Sequence, residues 1–143
     1  MTVFAALVTL SLAAAAGERP AIVVEAADTP VRVERATVLT TAEAPPVIVY
    51  AATNLTADTL DQFTVIAFVF DADGMLKARH IAPGRRTLNP HETKYSTMVI
   101  DGAPVAATDV IVIGVNQAQR LDSDAWWRAD LQAAAEATQR KKP

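Results

Sequence analysis

The chain has 143 residues, no cysteine, 51% hydrophobic residues and a formal net charge of −3. It is long enough to bury the core of one domain, and that core must stabilise the fold without disulfides. Mild acidity supplies no basic stripe of the kind phosphate recognition needs, so nucleic acid is excluded as the expected partner.

Residues 1–17 carry no charge, and 3–16 form one apolar run that closes on Ala14-Ala15-Ala16 before Gly17. This pattern predicts a signal peptide over residues 1–16. A membrane-spanning helix needs about 20 apolar residues, whereas this run contains Thr9 and Ser11 and stops at Glu18 and Arg19. The first four residues lack Lys and Arg; a retained anchor, and with it a membrane-tethered subunit, is therefore the alternative. An Ala- and Arg-rich composition with little Lys points to a GC-rich bacterial genome. The expected location is periplasmic or secreted, with no membrane contact after cleavage.

Beyond Pro20, short β-branched apolar runs alternate with turn residues, which is the signature of strands. Seven are predicted, over residues 20–25, 31–39, 47–52, 63–70, 75–81, 93–100 and 110–115. The breaks are Asp28-Thr29-Pro30, Pro45-Pro46, Asn54 and Asp71-Ala72-Asp73-Gly74. With no helical crossovers, the expected fold is all-β, a seven-stranded antiparallel sandwich of the immunoglobulin or fibronectin III kind, over residues 17–121. The turn at Asp71 to Gly74 is a hairpin with Gly74 at positive φ. Residues 122–143 are expected to form a C-terminal helix, packed on the sandwich, with a basic tail at Arg140-Lys141-Lys142. Trp127, Leu131 and Ala134 fall on one stripe of that helix. The strands at 63–70 and 110–115 are apolar on both faces, so a cover is required for the second face. The helix, carrying Trp126 or Trp127, is the nearest candidate, and a second copy of the chain is the other.

Asn54-Leu55-Thr56, the run into Phe70-Asp71-Ala72-Asp73-Gly74, and the turn Leu88-Asn89-Pro90-His91-Glu92 together resemble the small exported bacterial FxLYD-like and related immunoglobulin-like domains. The resemblance covers residues 47–100. His91 stands where that turn carries Gly, and no Phe-x-Leu-Tyr-Asp string is present. The resemblance implies a binding or structural role without catalytic residues.

Asp71-Ala72-Asp73-Gly74 resembles a calcium loop only in part, because Val69 and His80 would occupy positions that need oxygen ligands. His80 and His91 are the only histidines, and they flank one loop; metal binding through this pair is the alternative function, although a zinc or copper site wants three or four ligands. Ser96 and Ser123 sit in no nucleophile motif, and Glu25 and Glu34 read as a solvated face. Asn54-Leu55-Thr56 matches a glycosylation acceptor but is explained by turn geometry. Arg79, Arg85 and Arg86 cluster around the fifth strand and its following loop. Two adjacent tryptophans on a helix point about 100° apart, so one of Trp126 and Trp127 is left for an interface. The expectation is a non-catalytic, cofactor-free interaction or scaffolding module, not an enzyme. Its contact residues are Trp126, Trp127, Arg85 and Arg86, joined by the exposed face of residues 63–70. Its partner is a protein, a second copy included.

Overall fold

The computed structural model describes residues 17–82, 87–102 and 104–140. The signal-peptide expectation and the basic tail at Lys141 and Lys142 lie outside them. Nine strands are present among the described residues: β1 Gly17–Pro20, β2 Ile22–Val23, β3 Val31–Thr40, β4 Val47–Asn54, β5 Leu60–Phe70, β6 Leu76–Ile81, β7 Thr93–Val99, β8 Val110–Arg120 and β9 Ala125–Trp127. One helix, α1 Leu131–Arg140, follows. No described helix is long and apolar enough to cross a membrane.

The strands form two sheets, β1-β3-β4-β7 and β2-β8-β5-β6, with β9 also on β8. The first strand, expected over 20–25, starts earlier and is broken in two. Gly17–Pro20 pairs antiparallel with β3 in one sheet, and Ile22–Val23 pairs parallel with β8 in the other. Pro20 lacks an N–H and is tolerated at a sheet edge, and the chain passes between the layers at Ala21, whose N–H donates to Ala36 O. Labelled by chain order with β1 and β2 as A, the sheets read A-B-C-F and A-G-D-E. The immunoglobulin constant arrangement is ABED and CFG, so the layers are shared and the connectivity is different.

Between the sheets lies the main core, with Ile48, Leu60, Phe63, Leu88, Ile100 and Ile113 among its members. Strand alternation sends Ile66, Phe68 and Phe70 of β5 and Val112 of β8 to the opposite face. Leu131 and Ala135 of α1, with Val24, cover them. Ile66, Phe68 and Phe70 are 6%, 1% and 0% exposed, so the outer face of residues 63–70, expected as a contact surface, is packed from Ile66 onward and only Thr64 is left partly accessible. The close approach depends on Gly114. A Cβ there would stand 2.6 Å from Leu131 Cδ1 and 3.0 Å from Val24 O.

The predicted helix start at Asp122 is replaced by a reversal and a strand. Asp122 adopts φ 60, and Ala125–Trp127 runs back along β8, pairing Gln119 with Ala125 and Gln117 with Trp127. Below β2's short pairing, β8 would otherwise present bare N–H and C=O groups; two tryptophans of high strand propensity are placed to satisfy them. The helix begins only after Asp130, and Ala134 N–H donates to Asp130 O as its first turn closes.

One end of the sandwich is tied by Asp109, whose side chain is 3% exposed. Its Oδ2 accepts from Lys77 Nζ at 2.6 Å and from Ala106 N–H at 2.7 Å. Arg19 of β1 donates to the carbonyls of Ala106, Ala107 and Asp109. Burial by itself would raise the Asp109 pKa; the hydrogen bonds from Lys77 and Ala106 and the charges of Lys77 and Arg19 outweigh it and hold the carboxyl below its usual value.

Two outcomes are expected. Leu131→Ala removes the helix's main contact with the outer face and should destabilise the domain by about 2–5 kcal/mol in urea unfolding. Because the folded Asp109 pKa is depressed, its stabilisation is fully present above the unfolded value of about 3.9 and is lost as pH falls through the folded value. Stability measured from about pH 5 to 2 should therefore fall less steeply in Asp109→Asn than in the wild type.

Candidate functional site

The residues singled out from sequence are spread over several parts of the fold. Asn54 ends β4 fully buried. Its Nδ2 donates to Asp58 O at 2.8 Å, Leu88 O at 3.2 Å and Asn89 O at 3.1 Å. Its Oδ1 accepts from Thr56 N–H at 2.9 Å and from the Thr56 hydroxyl at 2.8 Å. Glu92 Oε2 in turn accepts from Asn89 N–H at 2.7 Å, and Leu60 and Leu88 form an isolated bridge. The Asn-x-Thr segment and the Leu-x-Pro-x-Glu turn are thus two halves of one polar joint, and the buried amide is closed to a modifying enzyme. His91 takes φ 59 in that turn, the left-handed conformation for which Gly is the unstrained residue.

The two histidines lie on different layers. His80 is on β6 opposite Ala67 of the core. Its Nδ1 is 3.9 Å from Asp101 Oδ1, and its Nε2 is buried without a partner among the described residues. His91 is exposed in the turn leading to β7 of the other sheet. Among the described residues no group of three or more His, Asp or Glu side chains is placed to hold a metal ion. Asp71 Oδ1 caps its own hairpin, accepting from the N–H groups of Asp73 and Met75 at 2.9 Å each, and Gly74 takes φ 81. Glu25 and Glu34 both approach Arg32, at 3.4 and 3.7 Å, in solvent-exposed pairs. Ser96 faces Tyr50 across β4 and β7, and its hydroxyl is buried without a partner among the described residues. Arg79 is exposed on β6; Arg85 and Arg86 lie outside the described residues.

The tryptophans are the residues most changed by folding. On a strand, neighbours point to opposite faces, so Trp126 turns inward and Trp127 outward. Trp126, opposite Ala118, packs at the edge of the main core and donates from Nε1 to Asp28 Oδ2 at 3.1 Å. Trp127 is 65% exposed. The sequence reading that placed Trp127 on an apolar helix stripe with Leu131 is therefore corrected: Trp126 is the packing residue and Trp127 the surface one. An open groove of about 480 Å³ runs past both, lined also by Glu25, Asp28, Arg128 and Asp130. A smaller one of 220 Å³, lined by Leu60, Ala118, Arg120 and Asp124, lies on the other side of Trp126. Arg128 fixes the wall of the larger groove, with Nη1 donating to Val24 O at 3.0 Å and Nε to Asp130 Oδ1 at 3.4 Å.

Sequence reasoning missed the side chains beside Trp127. Two rows cross the outer face of the sheet at this end: Trp127, Gln117 and Thr64, then Ala125, Gln119 and Gln62. Thr64 Oγ1 donates to Gln117 Oε1 and Gln62 Nε2 to Gln119 Oε1, each at 3.2 Å. The alternation of Gln117 and Gln119 around Ala118 was the available signal; it marks continuation of β8 past Val115 with one polar face.

Truncating the joint at Asn54 leaves the carbonyls of Asp58, Leu88 and Asn89 without this donor. Asn54→Ala should cost about 2–3 kcal/mol in chemical denaturation, whereas Thr56→Ala, which leaves the amide donors in place, should cost about 1 kcal/mol. Compared with family models, curated proteins and solved structures, the chain gives no match to any of the three.

Proposed function

We propose that the protein is an exported, non-catalytic binding module built on an immunoglobulin-like sandwich, with Trp127 at the centre of its contact surface. Sandwich families share the two-layer architecture without always sharing connectivity, so the strand order observed does not weigh against that class. Export rests on the apolar run at residues 3–16 and the small residues before Gly17.

The observation that carries the binding role is the 65% exposure of Trp127 on a hydrogen-bonded strand. Folding gains little from an indole left in water, whereas an aromatic held on a rigid element loses little entropy when a ligand covers it. The neighbouring Trp126 and its bond to Asp28 hold the strand in place, which separates the supporting residue from the contacting one.

Thermal and urea unfolding of two variants tests this division. Trp126→Ala should lose about 2–3 kcal/mol. Trp127→Ala should stay within about 0.5 kcal/mol of the wild type. Should Trp127→Ala unfold the domain instead, the indole is part of the packing and the reading is wrong.

A further inference from the structure

The two rows beside Trp127 carry a further conclusion, one that rests on the binding reading and names its ligand. We infer that the outer face of the sheet formed by β9, β8 and β5 is a carbohydrate site, with a neutral glycan stacked on Trp127 and hydrogen-bonded to Gln119 and Gln62.

Three observations converge on this chemistry. First, the strip combines one flat apolar surface with a row of amides and a hydroxyl, and none of Trp127, Gln117, Gln119, Gln62 and Thr64 is ionisable. A charged ligand would be desolvated here with no opposite charge beneath it. A pyranose has the complementary form, with a face of C–H bonds that stacks on an indole and a rim of hydroxyls that donate and accept; a glutamine amide also does both.

Second, the amides are already oriented. The bonds from Thr64 to Gln117 and from Gln62 to Gln119 lock these side chains across the strands. They leave Gln62 Oε1 as an acceptor and Gln119 Nε2 as a donor with no partner among the described residues. Both residues are half-buried, so their rotamers are restrained before any ligand arrives, which lowers the entropic cost of binding. The rows are two residues apart along β8, about 7 Å, a span that suits one sugar ring with its hydroxyls.

Third, α1 stops short of this end. Leu131 and Ala135 cover Ile66, Phe68, Phe70 and Val112, and Gln139 reaches the other end of the sheet at Gly74 O. The outer face is therefore divided into an apolar half that the helix covers and an amide half that it does not, in which Trp127 is exposed, Gln62, Thr64 and Gln119 are half-buried and Gln117 is buried. The nearby cations are already engaged: Arg128, next to Trp127, donates to Val24 O at 3.0 Å and to Asp130 Oδ1 at 3.4 Å, and Arg120, opposite Leu60 of the inner core, approaches Asp58 at 3.7 Å. An apolar protein surface would leave the amides unmatched, which costs affinity; a polyol matches them.

Native electrophoresis of the full chain through gels containing hydroxyethyl cellulose, xylan, galactomannan or dextran, with heparin as the charged control, tests the inference. Retardation by at least one neutral polysaccharide is expected. Calorimetry with the corresponding oligosaccharide should show at least tenfold weaker binding for Trp127→Ala and several-fold weaker binding for Gln119→Ala, with both variants folded by circular dichroism. The inference is overturned if no neutral polysaccharide retards the wild type, if only heparin does, or if Trp127→Ala binds as the wild type does. Sedimentation separates the two readings. A mass that falls on Trp127→Ala in the absence of glycan would make a second copy the ligand, leaving the binding role standing and the carbohydrate site refuted. Loss of the fold in Trp127→Ala would remove both.

Discussion

The adjacent strands β5 and β8 are apolar on both faces, and nearly every other feature follows from the need to cover them twice. One face is met by the opposing sheet, where Val38 and Ile48 join Phe63, Val65 and Ile113. Across the sheet, Phe68, Phe70 and Val112 would expose a contiguous apolar patch to water, the kind of surface monomeric proteins rarely leave open. Leu131 and Ala135 remove it. That contact requires a residue without a side chain where helix and sheet approach most closely, and Gly114 is that residue.

A short helix can cover only part of a sheet. The ten residues of α1 span roughly 15 Å, less than half the length of an eleven-residue strand. The composition of β5 and β8 changes accordingly along their length. Where the helix lies, outward residues are Ile, Phe and Val; beyond it they are Gln and Thr. The outer faces of β5 and β8 are thus matched to their cover, and Trp127 on β9, like Ile81 on β6, is an exception to that match. An exception of this type, rigidly held and not explained by packing, is where a working surface is expected.

The layers are held in register by polar joints as well as by the core. Asn54 stands where the chain leaves one sheet for the other, and its amide binds three carbonyls of the two turns that flank the crossing. A backbone leaving a sheet must find partners for its polar groups, and a buried amide with donors and acceptors on one short stem provides them. At another end Asp109 plays the equivalent part through Lys77 and Arg19, drawing β1 of one sheet and β6 of the other to a single loop. These joints account for the polar residues that read as motifs in the sequence. Asn54, Asp71 and Glu92 direct their polar atoms to backbone groups, so their spacing encodes turns.

The sequence alone determined the strands from Val31 to Val115, because period-two and continuous β-branched runs bounded by Pro, Gly, Asn and Asp are properties of local chain geometry. It also determined that the strands at 63–70 and 110–115 needed two covers, since their composition states it directly. Three things were decided only by tertiary structure. Gly17 to Val23 serves both sheets because each sheet offered an edge, and no local pattern records a distant edge. Ala125 to Trp127 is a strand despite a helix-like context, because the unpaired edge of β8 supplies hydrogen bonds that a helix start at Asp122 would have forgone. The roles of Trp126 and Trp127 were consequently exchanged: their orientation depends on whether neighbours diverge by a helical turn or by a strand's alternation, and that choice was made by β8, whose edge is set by the rest of the fold.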